Sequence, residues 1–420
     1  MSSIAKFLVQ QGLVVSGYDQ RKSFITNQLN QDGIKVDFEL TGLKYSKKIL
    51  YIYSSAISTQ ETILKNYLEK ENVLSRPEFL NELSKSNKII GITGTHGKTS
   101  TTALLAHIFH YNDRNVSYIF GGMTSFHGIG GHYGDADQPI ILETDEAFNT
   151  FKDINLDDLL VTNIDVDHLD FYKNFKNLLS AFKHVIKKIE GNLVLNYDDQ
   201  NLRKMKINNN FFTYSSSEVS DIQIIYPNKI VKEKKEYIIK TNLIGFHFIS
   251  NIAGALALAY LNGIKIEESL EAIKTFPGVN RRIEYLGKVD GIKIYDDYGH
   301  HPTEIEATIT ALKKITEGKL YVVFQPHRYT RTKNNLEDFK KSLLKSDQSI
   351  VVDIYPAGEK PIPGVSSKNF EDKNIKYLKS MRMVPSYLSS IVKENDTILT
   401  LGAGDITLLG PQILKYLDEK

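Results

Sequence analysis

The sequence contains no cysteine, which excludes disulfides, thiolate metal centres and a cysteine nucleophile together. Charge of one sign is also lacking: 52 basic residues meet 50 acidic ones, for a formal net charge of +2. With both signs interspersed, no global field draws in a nucleic-acid backbone. No apolar run reaches membrane-spanning length. The opening MSSIAKFLVQQGLVVSG carries one early lysine but no long apolar core or small-residue cleavage site of a secretory signal. These absences predict a cytoplasmic protein with neither nucleic acid nor membrane as partner. No Pro/Ser-rich linker, internal repeat or low-complexity tract interrupts the chain.

What is present is the composition of a folding chain, 41% hydrophobic and 24% charged over 420 residues. That length is too great for one core and predicts two or three domains. The runs KILYIYSSA, KIIGITGT, PIILETD, LLVTNIDVDH, LYVVFQPH, SIVVDIYP and DTILTLGAG each read as a buried strand ending at a polar or glycine-containing turn. Alternating with helical patterns, they predict an α/β fold with parallel sheets, whose sites lie at the carboxyl ends of strands. Three segments suggest themselves: 1–87 with GLVVSGYD and YIYSSAI, 88–279 from KIIGITGTHGKTS to near FPGVN, and 280–420 with RRIEYLG near its start. Between about Phe211 and Leu243 the apolar alternation predicts antiparallel strands at the edge of the middle segment.

In KIIGITGTHGKTS a β-branched strand runs into Gly94, Thr95, His96, Gly97, Lys98, Thr99 and Ser100, and TTALLAHIF continues as a helix. Backbone amides at such a helix start, with the helix dipole behind them, hold phosphate. Lys98 is placed to reach the terminal phosphates of ATP and the Thr99 hydroxyl to ligate Mg²⁺. The loop is shorter than the standard phosphate-loop pattern; the competing reading is a glycine turn that only stops a strand. Lys98→Ala is expected to abolish turnover and leave the fold intact, on the view that Lys98 projects from an exposed loop.

Two later strand ends are acidic: Glu143, Asp145 and Glu146 in PIILETDEAF, and Asp165, Asp167, His168 and Asp170 in VTNIDVDHLDFY. Magnesium takes oxygen ligands and few protein contacts, and Glu143 and His168 are the first choices. Solvated turns or helix caps are the alternative. In the last segment YDDYGHHPTEI gathers Asp296, Asp297, Tyr298, His300 and His301, and FQPHRYTRT adds His327, Arg328 and Arg331. Two arginines on a turn can fork a carboxylate or phosphate. Zinc is the competing reading for the histidines, but Pro302 follows at once and no two of them stand i, i+4. Arg281 and Arg282 lie where the second and third segments meet, where a basic pair is either solvated surface or a contact made on domain closure.

Taken in order, GTHGKTSTT, ETDEAFNTF, VTNIDVDHLDFY, NRRIEYLG, DDYGHHPTE, FQPHRYTRT, DIYPAGEKPIPG and GAGDI resemble the Mur ligase family over essentially the whole chain, and DDYGHHPTE with FQPHRYTRT resembles its alanine-adding branch. The resemblance implies a Rossmann-like N-terminal domain for a uridine nucleotide, a central P-loop ATPase-type domain and a C-terminal Rossmann-like domain that brings an amino acid. It implies an ATP- and Mg²⁺-dependent ligase of peptidoglycan precursor synthesis, monomeric or homodimeric, joining L-alanine to the lactyl carboxylate of UDP-N-acetylmuramate through an acyl phosphate. Gly94 to Ser100, Asn251, Arg282 and Asp297 then become ATP contacts, and Thr99, Glu143 and His168 metal contacts. Tyr298, His300, His327, Arg328 and Arg331 become the amino-acid site, and Lys98, Glu143, His168 and His327 the catalytic set. Phe182 occupies the place where several family members carry a carbamylated lysine.

The chain departs from the family pattern in three places. Met1 starts inside the helix that should follow the family's first strand and Gly-rich turn, so uridine-nucleotide binding is expected to be affected. Phe248 stands where the family has Asn after His247, which is expected to weaken adenine selection. ETDEAFN replaces a more usual run that carries Ser after the second acid, a change that leaves Glu143 untouched. Two other readings stay open: a related ligase that attaches a preformed peptide, against which the FQPHRYTRT turn argues, and a catalytically weakened nucleotide-binding homologue.

Overall fold

A computed structural model of the chain describes residues 1–39, 45–54, 67–68, 70–125 and 128–419. The chain forms two compact units, Met1–Asn242 with Ile249–Pro277, and Leu243–Phe248 with Gly278–Lys420. Among the described residues, the first unit holds two small parallel pairs and one large sheet. The pairs are β1 (Ser16–Tyr18) with β2 (Lys35–Asp37), and β3 (Tyr51–Tyr53) with β4 (Val73–Ser75). The strand predicted in KILYIYSSA is β3; its continuation from Ser55 lies outside the described residues.

The large sheet has ten strands: β5 (Ile89–Thr93), β6 (Ser117–Thr124), β7 (Gly128–His132), β8 (Ile140–Glu143), β9 (Asp158–Val161), β10 (Leu193–Asn196), β11 (Phe212–Ser215), β12 (Ile222–Ile225), β13 (Lys229–Lys232) and β14 (Lys235–Ile238). Strand β5 lies between β8 and β9 and is parallel to both. Ile89, Ile90 and Ile92 of β5 are all buried, as are Leu142, Leu159, Leu160 and Val161 of its neighbours. Covered on both faces, these strands read as continuous apolar runs without alternation. The central position of β5 brings the chain after Thr93 to the carboxyl edge of the sheet, between the ends of β8 and β9.

The edge region differs from expectation in direction. Strands β11 and β12 continue the parallel sheet, and only β13 and β14 run antiparallel. Asp221 accepts hydrogen bonds from the backbone N–H and hydroxyl of Thr213, at 2.7 and 2.8 Å, so the loop between β11 and β12 returns to where β11 began. Period-two alternation marks a strand but not the direction of its neighbour.

The helix Ser2–Gln10 is built into the core of the first unit. Ile4 and Phe7 pack in one cluster with Phe79, Leu80, Ile119 and Ile140, each such side chain contributing about 1.5–3 kcal/mol on full burial. The Ser3 hydroxyl donates to the Phe120 carbonyl at 2.6 Å, and Phe7 meets Tyr133 edge to face.

In the second unit, β15 (Glu284–Val289) pairs antiparallel with β16 (Ile292–Asp297). Strands β20 (Thr397–Leu401), β17 (Leu320–Phe324), β18 (Gln348–Val351) and β19 (Ile375–Tyr377) then follow β16 in that spatial order, all parallel. The carboxyl ends of β16, β20 and β17 therefore lie side by side, carrying Asp297, Gly402 and Gln325. No helix among the described residues is long and apolar enough to cross a membrane.

Candidate functional site

The chain leaves β5 through Gly94 and Gly97, both in the left-handed region at φ 132° and 84°. Conformation and space both require glycine here. A Cβ at Gly94 would stand 2.1 Å from the Thr162 hydroxyl oxygen, and one at Gly97 2.6 Å from Asn251 Oδ1. Gly97 is the N-cap of the helix Lys98–Tyr111, whose first amides have no intrahelical acceptor. The chain itself takes the preceding amides: Thr95 N–H donates to the Asn163 carbonyl at 3.0 Å and His96 N–H to Asn163 Oδ1 at 2.8 Å. Asn163 thus braces the loop from the end of β9.

Lys98 folds back over the loop, donating to the carbonyls of Gly94 at 2.6 Å and Thr95 at 3.2 Å and to Glu146 Oε2 at 2.9 Å. Its side chain is only 14% exposed and that of Glu146 1%. Burial alone would lower the lysine pKa, but Glu146, Asp145 and Glu143 outweigh it and hold the ammonium charged well above its ordinary range. Burial pushes Glu146 above the usual carboxylate range, against the pull of Lys98. At Asp145, Lys98, the Ala147 N–H and His168 overcome burial and hold the carboxyl low.

Glu143, at the end of β8, accepts from the Thr99 hydroxyl at 2.9 Å and from the Gly121 N–H at 2.5 Å. His168, with φ 54°, precedes the short helix Leu169–Tyr172. Its Nε2 lies 3.9 Å from Glu146 Oε1, a buried oxygen that has no hydrogen-bond donor among the described residues. One ligand atom each from Asp145, Glu146 and His168 lie within 4.8 Å of one another. Asp165 instead faces the loop, 3.1 Å from His96 Nε2. The side chain of Asp170 lies outside the description.

In the second unit, Asp296 is buried beneath the end of β16. Its oxygens accept from the Thr400 hydroxyl at 2.6 Å, the Thr407 hydroxyl at 2.9 Å and Arg281 Nε at 3.2 Å. Arg281 also donates to the Gly402 carbonyl at 2.5 Å. Asp297 accepts from the Gly299 N–H at 2.7 Å and the Ile283 N–H at 2.8 Å. Burial, only partly offset by Arg282, raises its pKa to about 6. The Tyr298 ring has Arg281 4.9 Å and Arg282 5.2 Å from its centre. Tyr298, His300 and His327 follow one another at ring separations of 5.3 and 6.1 Å. His327 stacks on Tyr355 at 5.5 Å, and Arg331 Nη1 lies 3.4 Å from its Nδ1. Burial, reinforced by His300, Arg331 and Arg328, lowers the His327 pKa to about 4, so the ring is neutral near pH 7.

Residues 1–88, 92–259 and 281–404 match the family models described as Mur ligase family, catalytic domain; Mur ligase middle domain; and Mur ligase, glutamate ligase domain. The chain is 36% identical to a UDP-N-acetylmuramate--L-alanine ligase of Geotalea daltonii, covering 100% of the chain and 96% of that relative. It is 34% identical to one of Caldicellulosiruptor saccharolyticus, covering 97% and 94%. The chain belongs to the Mur ligase family. A crystal structure of UDP-N-acetylmuramate-alanine ligase MurC from Thermotoga maritima shares the fold with a TM-score of 0.83 at 24% identity, covering 100% of this chain and 97% of that one. The three-domain α/β architecture of Mur ligases therefore holds for this chain, and the family uses ATP.

In this Mur ligase, Gly94 to Ser100 and Asn251 come together in the first unit, while Arg282 and Asp297 lie in the second. The view of Lys98 as projecting from an exposed loop is corrected: its ammonium is enclosed and neutralises a buried carboxylate. Sequence reasoning named Glu146 but chose Glu143 and His168 over it. Nor did it find Asn163 or Glu359, whose partners lie 67 and 31 residues away along the chain. Phe182 is wholly buried edge to face with Phe151.

Phe248 is 3% exposed and packs among Ile283, Ile305, Ile309 and Leu312 in the core of the second unit. Restoring the family's residue by Phe248→Asn removes that packing and buries an amide. A loss of about 3 kcal/mol in urea unfolding is expected; an unchanged midpoint contradicts the core role. The neighbouring His247 has its pKa lowered to about 4 by burial and by Arg282, with Glu304 pulling the other way. The unfolded chain, near 6.5, binds the proton more tightly, so stability present above pH 6.5 falls as the pH drops toward 4. His247→Gln is expected to flatten this part of the profile relative to the parent, measured by urea unfolding at pH 7 and pH 5; parallel losses contradict it.

Proposed function

We propose that this Mur ligase joins L-alanine to the lactyl carboxylate of UDP-N-acetylmuramate at the expense of ATP. The observation that carries the reading is full-length likeness to ligases of that name at 36% identity, together with a charged lysine at a helix start. A carboxylate oxygen of the sugar nucleotide attacks the γ-phosphorus and ADP leaves. The alanine amine attacks the resulting acyl phosphate, loses a proton, and phosphate departs. On this reading Gly94 to Ser100 and Asn251 bind ATP, with Lys98 drawing charge from the transferred phosphoryl group. Arg282 and Asp297 are further nucleotide contacts on this reading, with Asp297 accepting from the Ile283 N–H next to Arg282.

Mg²⁺ belongs to the same proposal. A buried oxygen on Glu146 that has no hydrogen-bond donor among the described residues, with Asp145 and His168 nearby, and the Thr99 hydroxyl with Glu143, make donor sets that fit a hard cation. Such a cation would spread the negative charge of the phosphates. Tyr298, His300, His327, Arg328 and Arg331 form the amino-acid site, where the neutral His327 ring adds no positive charge beside the incoming ammonium. Phosphate release is measured with UDP-N-acetylmuramate, ATP and L-alanine. Release that requires all three is expected; none, or release indifferent to alanine, contradicts the proposal.

A further inference from the structure

After β17 the segment Gln325–Arg328 leads into the helix Tyr329–Leu343. The segment after β18 lies along it. His327 bridges Tyr355, Arg328 N–H donates to the Tyr355 carbonyl at 2.8 Å, and Tyr355 N–H donates to the Pro326 carbonyl at 2.8 Å. The following turn, with Ala357 at φ 47° and Gly358 at φ 85°, brings Glu359 beneath the start of that helix. There Glu359 Oε1 accepts from Arg328 Nε and the Thr330 hydroxyl, both at 2.6 Å, and Oε2 accepts from the Thr330 N–H at 3.0 Å. Burial would raise this carboxyl, but Thr330 and Arg328 together hold it below the ordinary range, so it stays ionised.

One carboxylate of the protein thus occupies both anion-attracting features of the HRYTR turn, the Arg328 charge and the helix N-terminus. Arg331 is different. Its contact is with the neutral His327, and among the described residues it has no carboxylate within ion-pair distance. We infer that Glu359 is a specificity-determining residue. It neutralises Arg328, leaves Arg331 as the anion seat of the amino-acid site, and so restricts that site to amino acids with a single carboxylate. A dicarboxylic amino acid would bring its second negative charge against Glu359 instead of a free guanidinium. The inference rests on the amino-acid site proposed above, and it explains a two-arginine turn serving a substrate with one carboxylate.

The test uses the full chain and competition by L-aspartate in alanine-dependent phosphate release. Glu359→Gln keeps an oxygen acceptor for Thr330 and removes the charge. L-aspartate is expected to compete with L-alanine at least about tenfold more strongly in this variant than in the parent. Adding Arg328→Gln is expected to return aspartate to its parental weakness. Equal aspartate inhibition in parent and Glu359→Gln overturns the inference. Should thermal unfolding show that Glu359→Gln does not fold, single arginine variants decide. Arg331→Gln is expected to raise KM for L-alanine by roughly 50-fold or more and Arg328→Gln by less than about fivefold; the opposite order overturns it. Absence of alanine-dependent release in the parent chain refutes the proposed function instead, a result distinct from either of these.

Discussion

Lys98→Ala is expected to lower kcat by roughly 10³-fold or more, because it removes the enclosed cation at the helix start. The enclosure of Lys98 adds a second consequence, in stability. Glu146 is 1% exposed and loses its counter-charge, and stranding such a carboxylate costs about 3 kcal/mol or more unless it takes up a proton. Turnover alone would therefore confuse lost chemistry with lost structure. Lys98→Met combined with Glu146→Gln removes both charges and nearly conserves volume. That pair is expected to regain most of the stability measured by thermal unfolding while turnover stays absent. Near-normal turnover in Lys98→Ala removes the phosphate-loop assignment; recovery of turnover in the double variant removes the role of the charge.

Asp296→Ala is expected to destabilise the second unit by roughly 3–5 kcal/mol. Asp296 is 1% exposed, and its loss takes the ion-pair partner from Arg281 and the acceptor from the Thr407 hydroxyl, and leaves the Thr400 hydroxyl its longer 3.3 Å bond to the Tyr295 carbonyl. These contacts tie the entry to β15, the end of β20 and the turn Asp405–Leu408 to one carboxylate. Limited proteolysis of that unit is expected to accelerate in step with the fall in its urea midpoint. A midpoint unchanged to within about 0.5 kcal/mol contradicts the structural role and would free Asp296 for direct chemistry.

The glycine turn after β5 and the helix that begins at Lys98 were legible in the sequence because their geometry is local. Strand, two glycines, lysine, hydroxyl and helix are consecutive, and the backbone geometry they require follows from residue type. Strand identity was legible for the same reason, since β5, β8, β9, β17 and β20 are short, mostly apolar runs. What escaped depends on residues distant in sequence. Glu143 ends β8 and two more acids follow it, and the turn Ala147–Asn149 comes directly after Glu146, the one that bonds Lys98. The enclosure of Lys98 was invisible for that reason. Glu359 reaches Arg328 only because β18 runs parallel beside β17. Alternation between Phe211 and Leu243 announced strands, yet the parallel start of that region was set by Asp221 returning the chain to Thr213. Phe248 stood out in the sequence only as a departure from a pattern, and its place in an apolar cluster with Ile283, Ile305 and Ile309 depends on residues distant along the chain.

The central claim is that the carboxylate of the sugar nucleotide becomes an acyl phosphate before alanine is joined. Oxygen-18 placed in the lactyl carboxylate of UDP-N-acetylmuramate tests it directly, read by mass spectrometry of the phosphate released in the presence of ATP and L-alanine. The account predicts one labelled oxygen in each phosphate, carried over when the amine displaces it from the acyl carbon. Amide product accompanied by unlabelled phosphate would contradict it.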